Sequence, residues 1–236
     1  MRYFTKQWYQ TMQNSGADVG LVTDSNAQVF SEAYFKNIYR VQKQKWLKRR
    51  KKVCQWLNEP YDETKESYTF AAIYRAEKAK LIRTLPESIL SQVADIRLLA
   101  LKHCTEKVKE QITAFSRDCK EATEQSMSAY FASAKIENTD ASLLEMFSFH
   151  DETVISARKV GKDWLIDLGE CEEGYSKIRY IRFKNAVILK QEKRLAGAWW
   201  LYEELYKTET GYEVHVLLDK NGLIEFIVQC DDIQLS

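Results

Sequence analysis

Glycine is scarce in the first two thirds of this chain. Of eight glycines among 236 residues, only Gly16 and Gly20 fall in the first 160, and the other six fall between Gly161 and Gly222. Helices exclude glycine because it loses the most backbone entropy on ordering, while hairpin turns recruit it because it accepts positive φ. The scarcity also removes whole classes of chemistry. The chain has no G-x-x-x-x-G-K-[ST], no G-x-G-x-x-G, no G-x-S-x-G and no H-E-x-x-H, so no phosphate-cradling loop, nucleophile elbow or zinc-protease helix is expected. No cofactor is expected either.

Other absences narrow the class further. The five cysteines, Cys54, Cys104, Cys119, Cys171 and Cys230, are odd in number and form no C-x-x-C pair, which predicts reduced, mostly buried thiols in a cytosolic protein. No apolar run approaches the roughly 18 residues of a membrane span, and the opening MRYFTKQWYQTMQ lacks the apolar core and cleavage site of a signal peptide. A cytoplasmic protein that does not enter the membrane is therefore expected. There is no internal repeat and no low-complexity tract.

What is present is ordinary in bulk and uneven in distribution. Hydrophobic residues make up 45% and charged residues 29%, with a formal net charge of +1, which predicts a folded globular protein. Residues 1–149 carry a net +5, whereas residues 150–236 carry 12 Lys/Arg against 16 Asp/Glu. The patterning predicts helices first. Ser25 with Gln28 resembles a capping box. From there to Leu57 the residues Tyr34, Ile38, Val41, Trp46, Val53 and Leu57 recur at helical steps or their multiples. Asp62 caps a second helix ending near Leu85, and Pro86 opens another stretch. There Leu101, Cys104, Val108, Ile112, Phe115, Cys119 and Ala122 form an apolar seam up to Ile136.

The period changes near Phe147. Residues 153–160 and 164–168 flank Gly161-Lys162-Asp163, residues 178–183 and 186–189 continue the β pattern, and residues 199–208 and 212–218 flank Glu209-Thr210-Gly211. Asn221-Gly222 joins residues 212–218 to 223–229 as a type I′ hairpin. The expected fold is α+β: an N-terminal helical bundle, residues 1–145, packed as one body on a C-terminal antiparallel β-meander, residues 146–236.

The ends of the chain resemble a known group. Met1-Arg2-Tyr3-Phe4-Thr5-Lys6 with Trp8-Tyr9, the run Gly197-Ala198-Trp199-Trp200-Leu201-Tyr202-Glu203-Glu204, the strand from Tyr212 to Leu218, and Leu223-Ile224-Glu225-Phe226 with Cys230-Asp231-Asp232 are similar to an uncharacterised family of spore-forming Gram-positive bacteria, catalogued as a domain of unknown function. The resemblance implies a bacterial cytosolic protein and carries no activity. Phe149-His150-Asp151 also resembles the first strand of several small α+β domains, some of them toxin-immunity proteins.

Four clusters could carry chemistry. Between Glu32 and Glu59 there is no acidic residue, but nine cations, including Lys48, Arg49, Arg50, Lys51 and Lys52, with Tyr34, Tyr39, Trp46 and Trp56 interleaved. Clustered cations bind phosphates and aromatic rings stack on bases. At helical spacing, though, the aromatics fall largely with the apolar stripe, so a face that is merely solvated or docked on the acidic part is the plainer expectation. In the second cluster, Trp199 and Trp200 must point to opposite sides of a strand; a sheet sandwiched by helices, with both rings covered, is the plainer expectation, whereas an exposed tryptophan beside Tyr202 or Glu203 suits an interface. Third, His150-Asp151-Glu152 with His215, Asp231 and Asp232 offers metal or general-base groups, although their plainer role is in turn and cap hydrogen bonds. Fourth, Cys104 beside His103 reads as a packed thiol rather than a nucleophile. Three functions follow. The first is a non-enzymatic protein-interaction module of an immunity, anti-defence or regulatory kind, using Lys48–Lys52, Trp199, Trp200 and Tyr202. The alternatives are a nucleic-acid-binding protein using the basic helix from Lys36 to Lys52, and a metal-dependent hydrolase around His150.

Overall fold

The computed structural model describes residues 1–136, 139–169 and 178–236. Cys171 and Gly174, one of the six later glycines, lie outside them, as do Glu137 and Asn138. The fold is α+β. Its compact units are Asn14–Cys119 and the pair Met1–Gln13 with Lys120–Ser236. The change of composition at 145/146 therefore marks where helix gives way to strand, while compactness divides the chain at other points.

In chain order the elements begin with α1 (Lys6–Met12), β1 (Val22–Thr23) and a 3-10 turn (Ser25–Gln28). Then come α2 (Glu32–Leu57), α3 (Glu63–Thr84), α4 (Glu87–Leu90) and α5 (Ile96–Ala100). After β2 (His103–Cys104) follow α6 (Glu106–Ile136) and α7 (Ala141–Met146). The remaining strands are β3 (Val154–Val160), β4 (Asp163–Leu168), β5 (Tyr180–Lys184), β6 (Val187–Gln191), β7 (Trp199–Lys207), β8 (Tyr212–Asp219), β9 (Leu223–Cys230) and β10 (Asp232–Leu235).

The unit Asn14–Cys119 is helical. Its long helix begins later than the Ser25/Gln28 pair suggests. Asp24 caps the short 3-10 turn by accepting from the Asn26 N–H, and Ser31 accepts from the Tyr34 N–H to start α2. A side-chain acceptor one turn further on wins because the orphan N–H groups it satisfies belong to the segment that continues. Asn58, in the left-handed region at φ 57°, stops the helix. Asp62 starts α3 by accepting from the Lys65 N–H, as expected. The seam from Leu101 onward is only partly helical. Leu101 and Cys104 are buried ahead of α6, Cys104 in a two-residue parallel pairing of β2 with β1, while Val108, Ile112 and Cys119 are buried along α6. Ala122 is exposed, and Thr123 takes the buried position beside it. One apolar cluster joins Ile38 of α2 to Phe70 of α3 and to Leu98 and Leu101, and a second joins Leu81 and Leu85 to Leu99, Val108 and Ile112.

The other unit holds the sheets. The expected single meander resolves into two four-stranded antiparallel sheets, ordered β10-β5-β4-β3 and β6-β9-β8-β7. Local turns set the hairpins β3–β4, β7–β8 and β8–β9. The position of β6 is set by pairing with β9, a long-range choice that no turn signals. Strand β10, which has no forecast in the sequence reading, pairs with β5. The sheets share one core. Ile166, Ile181 and Phe183 come from the first, and Trp200, Val214, Val216 and Phe226 come from the second. An isolated bridge, Thr153 to Trp199, links their edges.

Two turns show different uses of glycine. Asn221 and Gly222 both have positive φ (54° and 111°), as the type I′ hairpin requires. Gly211 serves a close approach: a Cβ there would lie 2.1 Å from the carbonyl oxygen of Cys230.

Helices cover one face of the second sheet within this unit. Phe4, Trp8, Tyr130 and Tyr206 form an aromatic cluster. The Tyr130 hydroxyl accepts from the Leu205 N–H at 2.8 Å, and the Trp8 indole donates to the Thr123 carbonyl at 3.2 Å.

Candidate functional site

The basic run is a helical surface. Lys45, Lys48, Lys52 and Trp56 are all exposed and recur at steps of three, four and four, which places them on one side of α2. Arg49 and Lys51 flank them and are also exposed. Among the described residues none of Lys48, Arg49, Lys51 and Lys52 has an ion-pair partner. Arg50 differs: its Nε lies 3.1 Å from the carboxylate of the buried Glu66 on α3, so it serves the helix pair rather than the surface. Trp56 corrects the sequence reading. It is 83% exposed and Leu57 49% exposed, whereas Trp46 packs into the α2–α3 cluster. The spacing from Lys48 and Lys52 was the signal that could have placed Trp56 with the cations.

The tryptophan pair of β7 divides as the alternation requires. Trp200 is fully buried and presents nothing to a partner, while Trp199 is 56% exposed. The pairing of β7 with β8 slips between Trp200 and Tyr202, and a bulge of this kind re-aims the residues that follow. Trp200, Glu203 and Leu205 then share one face, and Trp199, Tyr202, Glu204 and Tyr206 the other. Trp199 lines a shallow cleft of about 560 Å³ with Tyr9, Asp151, Leu201 and Asp219.

The histidines take separate partners. His150 Nδ1 lies 3.1 Å from the Asp151 carboxylate, both well exposed. His215 is buried, with Nε2 2.6 Å from Glu213 and Nδ1 3.5 Å from Glu204. Burial holds the His215 imidazole below its usual range, although both carboxylates favour its charged form. Burial also acts to raise Glu213, but the His215 contact and Arg2 outweigh it and hold that carboxyl low. Asp231 accepts from the Asn185 side chain at 2.6 Å. Among the described residues no three His, Cys, Asp or Glu side chains gather as a metal site would need. Cys54, Cys104 and Cys230 are free thiols, and like Cys119 they are buried. Burial raises the Cys104 and Cys230 thiols, the latter to about 12, so neither is an activated nucleophile.

Two adjacent glutamates on β7 went unweighed in the sequence. Glu204 has no exposed surface. It accepts the backbone N–H groups of Arg2, Tyr3 and Phe4 at 2.7, 2.8 and 2.5 Å, and the Tyr206 hydroxyl at 2.7 Å. It thereby ties the N-terminal segment to the sheet. Glu203, on the opposite face, lines a cavity of about 190 Å³ whose walls include Phe4, Tyr130, Phe131, Phe147 and Tyr202. Its carboxylate accepts from the Trp200 indole at 2.6 Å. Burial raises this carboxyl to about 7 against the hydrogen bonds it accepts. A raised acid in an apolar pocket is a recurrent mark of function.

An α+β protein with an exposed basic helix face and an exposed tryptophan at the start of β7 is what this geometry defines. By sequence the chain belongs to the family described as Protein of unknown function (DUF4085), which matches residues 29–228. No curated protein matches the chain, and no solved structure does. No helix among the described residues is long and apolar enough to cross a membrane.

Proposed function

We propose that this is a non-enzymatic interaction protein that engages an acidic protein partner through the outer face of α2. The reading includes a bacterial, cytoplasmic setting and an immunity, anti-defence or regulatory role. The observation that carries it is the exposure of Trp56 on the same side of the helix as Lys48 and Lys52, which have no ion-pair partner among the described residues. Trp and Arg anchor protein interfaces when a partner desolvates them, and a row of cations selects acidic partners and speeds encounter. A tryptophan this open to water gives little to the fold, which supports a role in contact. Trp199 and its cleft supply a second, smaller surface of the same kind.

Nucleic acid is the second reading, favoured by the same indole, because a ring flanked by cations is what stacking on a base requires. A photo-crosslinking side chain at position 56 of the full chain, used in cells, separates the two. A discrete protein adduct, lost when Lys48, Arg49 and Lys52 become Glu, supports the first reading. A nuclease-sensitive adduct favours the second. In that case binding should weaken with salt at a log–log slope of roughly −0.9 per duplex phosphate neutralised. No adduct of either kind overturns both.

A further inference from the structure

Glu203 lines its cavity without an ion-pair partner among the described residues. Among the described residues neither lysine nor arginine lines the cavity, His150 is the one basic side chain on its wall, and no basic side chain forms an ion pair with Glu203. Its side-chain hydrogen-bond donor is the neutral indole of Trp200. Burying an acid without a counter-charge costs free energy unless the group is neutralised or a ligand supplies the charge. The walls fit a particular kind of ligand. Phe4, Tyr130 and Tyr202 pack ring to ring, with centroids 5.0 Å apart for Phe4–Tyr130 and 5.7 Å for Phe4–Tyr202. Phe131, 55% exposed, lies 5.2 Å from Tyr130 at the rim. Aromatic faces attract cations, the more so where water is excluded. An apolar cavity of about 150 Å³ accepts a molecule the size of benzene, so this one accepts a small group and no more.

We propose that the cavity is a binding site for an ammonium group on a short apolar stem, with the Glu203 carboxylate as counter-ion and the surrounding rings as its walls. That chemistry has two sources, a free arylalkylamine or a lysine side chain presented by another protein. The proposal is independent of the α2 surface and stands or falls separately. The Trp200 indole and the Phe149 N–H leave acceptor positions on the carboxylate for an ammonium N–H. The ligand's charge offsets the desolvation that burial imposes on the acid.

Calorimetric titration of the full chain at pH 7.5 tests it with three probes: 2-phenylethylamine, the neutral 2-phenylethanol, and Nα-acetyl-lysine amide. The amine is expected to bind at least about tenfold more tightly than the alcohol, a difference readily resolved as an affinity ratio. Glu203→Gln should erase that preference. Tighter binding of the capped lysine than of the amine would identify a protein side chain as the source, and the reverse would identify a free amine. The alcohol comparison needs no variant, so a Glu203→Gln chain that failed to fold would leave the test intact. Equal binding of amine and alcohol, or binding of neither the amine nor the capped lysine, would overturn the proposal.

Discussion

Glu203 and Glu204 are neighbours with opposite electrostatic situations. Glu204 is surrounded by donors: three backbone N–H groups and a hydroxyl converge on it. Charged hydrogen bonds of this kind are each worth roughly 1.5–3 kcal/mol, and removing the acceptor strands its buried donors. Glu204→Ala is therefore expected to cost on the order of 3 kcal/mol in urea unfolding, and to speed hydrogen exchange at the Tyr3 and Phe4 amides. An unchanged midpoint would show that the N-terminal segment is not held this way. Glu203 is the reverse case, an acid raised to about 7 from an ordinary 4.5 because burial disfavours its charge. Between those two values the folded protein holds a proton that the unfolded chain has released. Stability from this group is thus fully present below about 4.5 and is lost as pH rises to about 7. Thermal melts should fall along that limb for the natural chain and flatten for Glu203→Gln. A limb of the same slope in the variant would assign the pH dependence elsewhere.

At the scale of elements, the hairpin of β7 and β8 depends on a backbone approach that its sequence disguises. Gly211 reads as a turn glycine, yet the constraint is the Cys230 carbonyl and the Asp231 backbone, 2.1 and 2.6 Å from where a Cβ would sit. Backbone cannot swing aside as a side chain can. Gly211→Ala should destabilise by about 1–3 kcal/mol or more, whereas a glycine-to-alanine change that meets only φ strain costs less. A chemical-denaturation midpoint equal to that of the natural chain would disprove the close approach. The helix α2 makes the opposite forecast. Lys48, Arg49 and Lys52 are exposed and unpaired among the described residues, so changing all three to Glu should alter stability by no more than about 0.5 kcal/mol per site. Circular dichroism melts check this, and a larger loss would mean that the face contributes to the fold.

For the whole molecule, the connection between α6 and α7 is informative. Glu137 and Asn138 lie outside the described residues. Thr139 is buried, and Asp140 caps α7 through the Ser142 and Leu143 N–H groups. A protease cut between α6 and α7 should not release the β-sheet part as a separate piece. Tyr130 on α6 holds the Leu205 N–H and packs against Phe4 and Tyr206, and Thr123 holds the Trp8 indole. The fragments are expected to co-elute on size exclusion after nicking, and separate elution would show these contacts to be too weak to hold them.

The sequence by itself determined most of the longer elements. Glycine distribution, Asp62, Asn221-Gly222 and the shift in apolar period near Phe147 are local signals, and a helix cap or a two-residue turn is decided by atoms a few bonds away. It also determined that Trp199 and Trp200 face opposite ways, since strand geometry leaves no alternative. Only the tertiary structure decided which of them is buried, that β6 joins β9 and β10 joins β5, and that Trp56 lies in water while Trp46 packs. Strand partners and burial depend on residues distant in sequence, and nothing near β6 encodes Val228 as its neighbour. The two glutamates were invisible as a site for the same reason. A Glu-Glu pair is a common surface dipeptide. What distinguishes this one is a bulge at the start of β7, which puts one glutamate on the face of the N-terminal segment's backbone donors and the other on the face of Trp200, where it lines an aromatic cavity.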